Sequence, residues 1–174
     1  MPLFYPTVYR RRITDLTADD LRALGAQGIL LDIDNTLTTH DNPVLDEHVR
    51  AWLDTVRQAG FSLTVVSNNR DERVRPFAEA IGLAYQARAA KPLPRGYRAA
   101  ARAMGLSPRQ CVAVGDQIFT DILGANLAGM RSVLLEPIEL EVEQKFIVFK
   151  RRFERVLLGT RRAKRRREED YGNV

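Results

Sequence analysis

From residue 28 to residue 135 the chain alternates short aliphatic, β-branched runs with amphipathic stretches that mostly stop at a glycine, and this alternation is the tightest constraint on its fold. Residues 28–33, 61–66, a short piece at 84–86, 111–114 and 132–135 read as buried strands. Between them lie helical patterns. The stretch 44–59 carries Val49, Trp52, Leu53 and Val56 at helical spacing before Gly60. Another covers 72–81 before Gly82, a third is opened by Pro94 and closed at Gly105, and a fourth covers 122–128. Parallel strands need such crossovers, and right-handed crossovers cover both faces of the sheet with helices. The expectation is an α/β fold, a Rossmann-like three-layer α/β/α sandwich with a central, mainly parallel sheet. At 174 residues there is room for one such core and not for two full domains.

The division expected is an N-terminal extension over 1–27 with a short helix opened by the N-cap pattern Thr17-Ala-Asp-Asp20, a core over 28–138, and a basic segment over 139–174. Charge separates these parts. From Lys150 to Val174 there are 10 basic and 4 acidic side chains, whereas the rest has 17 basic and 18 acidic, so the basicity belongs to the tail. The single cysteine, Cys111, sits in an apolar run and reads as a buried, inert thiol. The N-terminus lacks the charged start, apolar run and cleavage site of a signal peptide, and no window is long and apolar enough to span a bilayer. A cytoplasmic address is expected, with any membrane contact peripheral.

The chemistry collects at strand ends. The first strand runs into Asp32 and Asp34, two like charges on either side of Ile33, on one side of the chain while it stays extended. Like carboxylates in one site disfavour joint ionisation, so the pair costs stability unless a cation or a reaction compensates. The second strand delivers Ser67-Asn-Asn69, the segment after the third Lys91-Pro92, and the fourth Gly115-Asp116 with Asp121 following. In open parallel sheets ligands bind beyond strand C-termini where strand order reverses. Three carboxylates with a lysine and a serine suit a hard cation plus an anionic group, the usual setting of Mg²⁺ beside a phosphate.

Asp-x-Asp-x-Thr at 32–36, Ser67, Lys91 and Gly-Asp-x4-Asp at 115–121 resemble, in order and spacing, the four motifs of the haloacid dehalogenase superfamily of phosphohydrolases. More closely, Asp32-Ile-Asp-Asn-Thr-Leu37, Val66-Ser-Asn-Asn69, Lys91-Pro92 and the stretch 114–126 resemble the YqeG family, itself similar to phosphatidylglycerophosphate phosphatases of mitochondria and plastids. The resemblance covers about residues 28–136 and implies a Mg²⁺-dependent phosphomonoester hydrolase. Asp32 is then the nucleophile that forms an aspartyl phosphate, and Asp34 the general acid and base. Mg²⁺ is expected on Asp32, Asp116 and, as the resemblance implies, the backbone carbonyl of Asp34, with Asp121 in support. Ser67 donates to a phosphoryl oxygen, Lys91 offsets its charge, Thr36 fixes the loop, and Asn68 supplies a donor near the phosphate.

Blander readings fall away or stay local. A calcium loop counted from Asp32 would need glycine at position 37 and glutamate at 43, where Leu37 and Pro43 stand. His40 reads as a surface-loop residue, two histidines and one cysteine are too few for a zinc site, and Trp52 reads as core. The intervals from Thr36 to Ser67 and from Ser67 to Lys91, about 30 and 23 residues, hold the βα units and leave no room for a cap domain. An uncapped site excludes water poorly by itself, which favours a large phosphorylated substrate, a lipid among them. Over 139–158, Val142, Phe146, Phe149 and Phe153 recur at helical spacing among lysines and arginines, ahead of the basic run 161–167. Three readings of that segment stay open: packing on the core, contact with an anionic membrane, or contact with RNA. The last supports an alternative function, an RNA- or ribosome-associated binding protein with a regulatory or vestigial site.

Overall fold

The computed structural model describes residues 3–39, 42, 44–139, 159, 169 and 170. His40, the amphipathic segment beyond residue 139 and the arginine run 161–167 lie outside them.

Six strands form one wholly parallel sheet: β1 (Val8–Arg10), β2 (Gly28–Leu31), β3 (Ser62–Val66), β4 (Ala84–Gln86), β5 (Cys111–Gly115) and β6 (Arg131–Leu135), in spatial order β1-β6-β5-β2-β3-β4. Among the described residues the helices of the core are α1 (Ala18–Ala23), α2 (Glu47–Gln58), α3 (Asp71–Ala80), α4 (Pro94–Ala103) and α5 (Leu123–Ala128). Side-chain parity along the strands explains the layers. Ile29, Leu31, Leu63, Val65, Val112 and Val114 pack with Val49, Trp52, Val56 and Phe77 of α2 and α3. Alternate residues Leu30, Val66, Cys111 and Ala113 pack with Tyr97, Ala100, Ala101, Ala125 and Ala128 of α4 and α5. The sandwich expected from the sequence is the fold observed. Burial pushes the Cys111 thiol up to about 11, so it stays protonated and unreactive at neutral pH.

One strand is new to the sequence reading. Val8–Arg10 pairs parallel with β6 at the sheet edge, three residues that carry no usable periodicity. Arg10 hides the signal: a buried arginine is tolerated there because Asp20 meets its guanidinium at 2.9 Å. The edge is covered in turn, since the Tyr9 N–H donates to Asp170 Oδ2 at 2.9 Å.

The order of strands reverses between β2 and β5. From β2 the chain steps outward to β3 and β4, then returns to lay β5 on the other side of β2, with Leu31 beside Val114. That crevice, between the exits of the two central strands, is where such a sheet holds its chemistry.

Candidate active site

At the crevice Asp32 leaves β2 and Asp116 leaves β5, and the Asp32 N–H donates to the Val114 carbonyl at 3.0 Å. Asp121 joins them from a π-helical stretch, Ile118–Ile122, that precedes α5. The wider turn lets the Ile122 N–H reach Gln117 O, and the Gln117 N–H donates to Asp121 Oδ2 at 3.1 Å. Gly115 makes the approach possible, because a Cβ there would lie 2.4 Å from the Asp121 carboxyl carbon. Carboxylate oxygens of Asp32, Asp116 and Asp121 all lie within 4.8 Å of one another, and all three residues are buried.

Lys91 enters the same space. Its ammonium lies 2.6 Å from both Asp32 Oδ1 and Asp121 Oδ1 with 4 % of its side chain exposed. Burial pushes the Asp32 carboxyl up to about 7, with Asp121 adding to that and Lys91 opposing it. Burial opposes the charge on Lys91 too, but Asp121 and then Asp32 outweigh it and hold the ammonium well above its ordinary range. The Tyr97 hydroxyl lies 3.4 Å from Asp121 Oδ1, and burial above all keeps it protonated as a donor. One ammonium against three clustered carboxylates leaves a set of oxygens that fits a hard divalent cation, which takes carboxylate oxygens and keeps waters for a substrate.

Asp34 faces different partners. Arg73 of α3 donates to Oδ1 at 2.6 Å and Asn69 Nδ2 donates to Oδ2 at 2.7 Å. The sequence reading named Asn69 only as part of the strand-end stretch Ser67-Asn-Asn69, gave it no role, and missed Arg73. The signal was available, since Asn69 follows β3 and Arg73 lies in the opening of α3, at the sheet edge that carries Asp34. Ser67 is buried, with its hydroxyl accepting from the Asn69 N–H. The Thr36 hydroxyl is buried without a hydrogen-bond partner among the described residues. Asn68, expected to offer a donor to the phosphate, engages Lys91 with both amide atoms. Its Oδ1 accepts from the Lys91 N–H at 2.6 Å and its Nδ2 donates to the Lys91 carbonyl at 3.0 Å. The physical reason is local: the β4–α4 loop would otherwise leave both backbone groups unsatisfied beside a buried lysine.

The haloacid dehalogenase-like hydrolase family model matches residues 39–129, just over half of the chain. The chain belongs to that family. The matched stretch starts after Asp32 and Asp34, but a longer likeness covers them: this hydrolase is 33% identical over 162 residues to the "Probable phosphatase YqeG" of Bacillus subtilis (strain 168), spanning 92% of this chain and 93% of that one. It is 28% identical over 148 residues to "Phosphatidylglycerophosphate phosphatase 1, chloroplastic/mitochondrial" of Arabidopsis thaliana, covering 79% of this chain and 42% of the relative. A solved protein of Listeria monocytogenes serotype 4b shares the fold at TM-score 0.56 and 20% identity, over 69% of this chain and 84% of that one. This hydrolase is a phosphoric monoester hydrolase, as the resemblance of its motifs implies.

Proposed function

We propose that this phosphatase is a Mg²⁺-dependent phosphomonoesterase that works through an aspartyl phosphate on Asp32 and acts on a phosphorylated lipid. The observation that carries the reaction is the cluster of Asp32, Asp116 and Asp121 at the crevice, with the Lys91 ammonium against Asp32 and Asp121. Asp32, Asp116 and the backbone carbonyl of Asp34 would hold the cation, with Asp121 beside them. When bound, it neutralises charge on the phosphoryl oxygens and favours ionised Asp32 at neutral pH.

The chain's own residues then act in order. The Asp32 carboxylate attacks phosphorus in line as the ester P–O bond breaks, giving an acyl phosphate and an alkoxide that takes a proton. Asp34 exchanges that proton. In its present contacts both oxygens accept, which suits the second half, where Asp34 removes a proton from the water that attacks phosphorus and regenerates Asp32. Donation in the first half requires the Asn69 or Arg73 contact to give way as the substrate's oxygen arrives. Ser67 and Thr36 offer hydroxyls to the phosphoryl group, and Lys91, fixed by Asn68, offsets its charge. Arg73→Ala is therefore expected to lower kcat on a soluble aryl phosphate about 10- to 100-fold, with Arg73→Lys intermediate and circular dichroism unchanged. Full activity in the alanine variant would remove Arg73 from the site.

Two observations support a large, apolar substrate. Among the described residues no domain closes over the crevice, and a cleft of about 600 Å³ opens beside the Thr36–Thr39 loop, lined by Ile13, Leu37, Val44, Val49, Leu135 and Ile138 among others. The Arabidopsis relative's name supplies a specific lipid, phosphatidylglycerophosphate. The full chain should hydrolyse an aryl phosphate only with Mg²⁺ and lose activity in EDTA. It should prefer phosphatidylglycerophosphate in mixed micelles to glucose 6-phosphate by at least about 100-fold in kcat/KM. Metal-independent turnover would sink the mechanism, and equal turnover of sugar and lipid phosphates would sink the substrate.

A further inference from the structure

We infer that the rim built from the loops after β3 and β4, together with the outward face of α4, is the surface by which this phosphatase sits on an anionic bilayer. It deepens the lipid reading above and rests on it. The two loops form one unit: the Arg88 N–H donates to Asn69 O at 2.9 Å, the Ala89 N–H to Ser67 O at 3.0 Å, and Asn68 holds the Lys91 backbone from both sides. The first turn of α4 presses on the same rim, where a Cβ at Gly96 would lie 2.4 Å from the Ala89 carbonyl oxygen. Whatever touches this rim touches the frame that carries Ser67 and Lys91 into the crevice.

Its charge is one-sided. Between Glu79 and Asp116 there is no acidic residue. Arg70 and Arg88 are exposed on the loops, and Arg95, Arg98 and Arg102 recur at i, i+3 and i+7 on the exposed side of α4. Arg98 donates to a backbone carbonyl, that of Leu127, and the other four have no carboxylate partner among the described residues. Nearby, Asp71 is engaged by Arg75, which leaves Glu72 as the exposed acid at this end of α3.

On the same surface stands Leu93, 53% exposed and lying in the sequence between Lys91 and Arg95. An exposed aliphatic side chain on a surface rich in exposed arginines matches the headgroup–acyl boundary, where the leucine enters hydrocarbon and the arginines meet lipid phosphates. A single-stranded nucleic acid would instead call for exposed rings to stack on, and the aromatic residue of α4, Tyr97, is 2% exposed. Lipid is the occupant the surface fits.

The test is flotation of the full chain with phosphatidylglycerol–phosphatidylcholine vesicles that contain no phosphate monoester. Replacing Arg88, Arg95 and Arg102 together by Ala should lower partitioning on the order of 100-fold, at about fivefold per arginine. Leu93→Ser should lower it at least about threefold. Both variants should hydrolyse a soluble aryl phosphate at the wild-type rate. Undiminished flotation with intact turnover overturns the docking surface and leaves the phosphatase standing. Absent turnover in the wild-type protein sinks the proposed function instead. Loss of binding to a single-stranded RNA, with vesicle binding unchanged, assigns the arginines to nucleic acid and overturns the lipid reading.

Discussion

Replacing Asp32 by Asn is expected to abolish turnover, by at least about 10³-fold, and to raise the melting temperature of the metal-free protein at pH 8. The two effects share a cause. A nucleophile must be ionised, yet burial pushes this carboxyl up to about 7, against 3.8 for an ordinary aspartate. The folded protein therefore holds the proton more tightly than the unfolded chain does. The stability that goes with this is fully present below the unfolded value, about pH 4, and is lost as pH rises through about 7. A displacement of about three units corresponds to a ceiling of about 4 kcal/mol. Asparagine has no proton to lose, so in EDTA the variant's advantage should be small near pH 4.5 and largest at pH 8, as read by differential scanning fluorimetry. Mg²⁺ should shrink it, because a cation favours the ionised aspartate of the wild-type protein. A melting-temperature difference that stays flat from pH 4.5 to 8 would show that burying Asp32 carries no such cost.

Much of this site was legible in the sequence. Asp32, Ser67, Lys91 and Asp116 could be placed together because strand C-termini in a parallel sheet share an edge whatever the details of packing. The layers were legible for the same reason, through the alternation that sends Ile29 and Leu31 to one face and Leu30 to the other. Partner choice was not. The Arg73 contact to Asp34 depends on how α3 is rolled against the sheet, and the two-sided grip of Asn68 on Lys91 depends on a loop path with no sequence periodicity. Nor did spacing reveal the π-helical stretch. A helix beginning at 122 was expected, whereas the widened turn starts at Ile118 and brings Asp121 into the acid cluster in place of the solvated first turn of a regular helix.

Lys91→Met should cost more than any other single change that keeps side-chain bulk in this site. The wild-type ammonium lies 2.6 Å from two buried carboxylates, and methionine keeps the apolar stem while deleting the charge. Removing one partner of a buried ion pair leaves uncompensated charge, at a cost of about 3–5 kcal/mol. The loss should be greatest in EDTA at pH 8, where Asp32 would have to face Asp121 ionised. It should be smaller at pH 5.5, where Asp32, with its raised pKa, takes up a proton. Mg²⁺ should restore part of the stability, because a cation among Asp32, Asp116 and Asp121 replaces the missing ammonium. Activity should not recover with it: a bound cation cannot also supply the second positive charge that the transferring phosphoryl group needs, so kcat should stay down by about 10²-fold or more. Stability and turnover separate here, and that separation tests the assignment. If Mg²⁺ restores both, Lys91 is only a counterion for the acid cluster; if it restores stability alone, Lys91 acts on the phosphate.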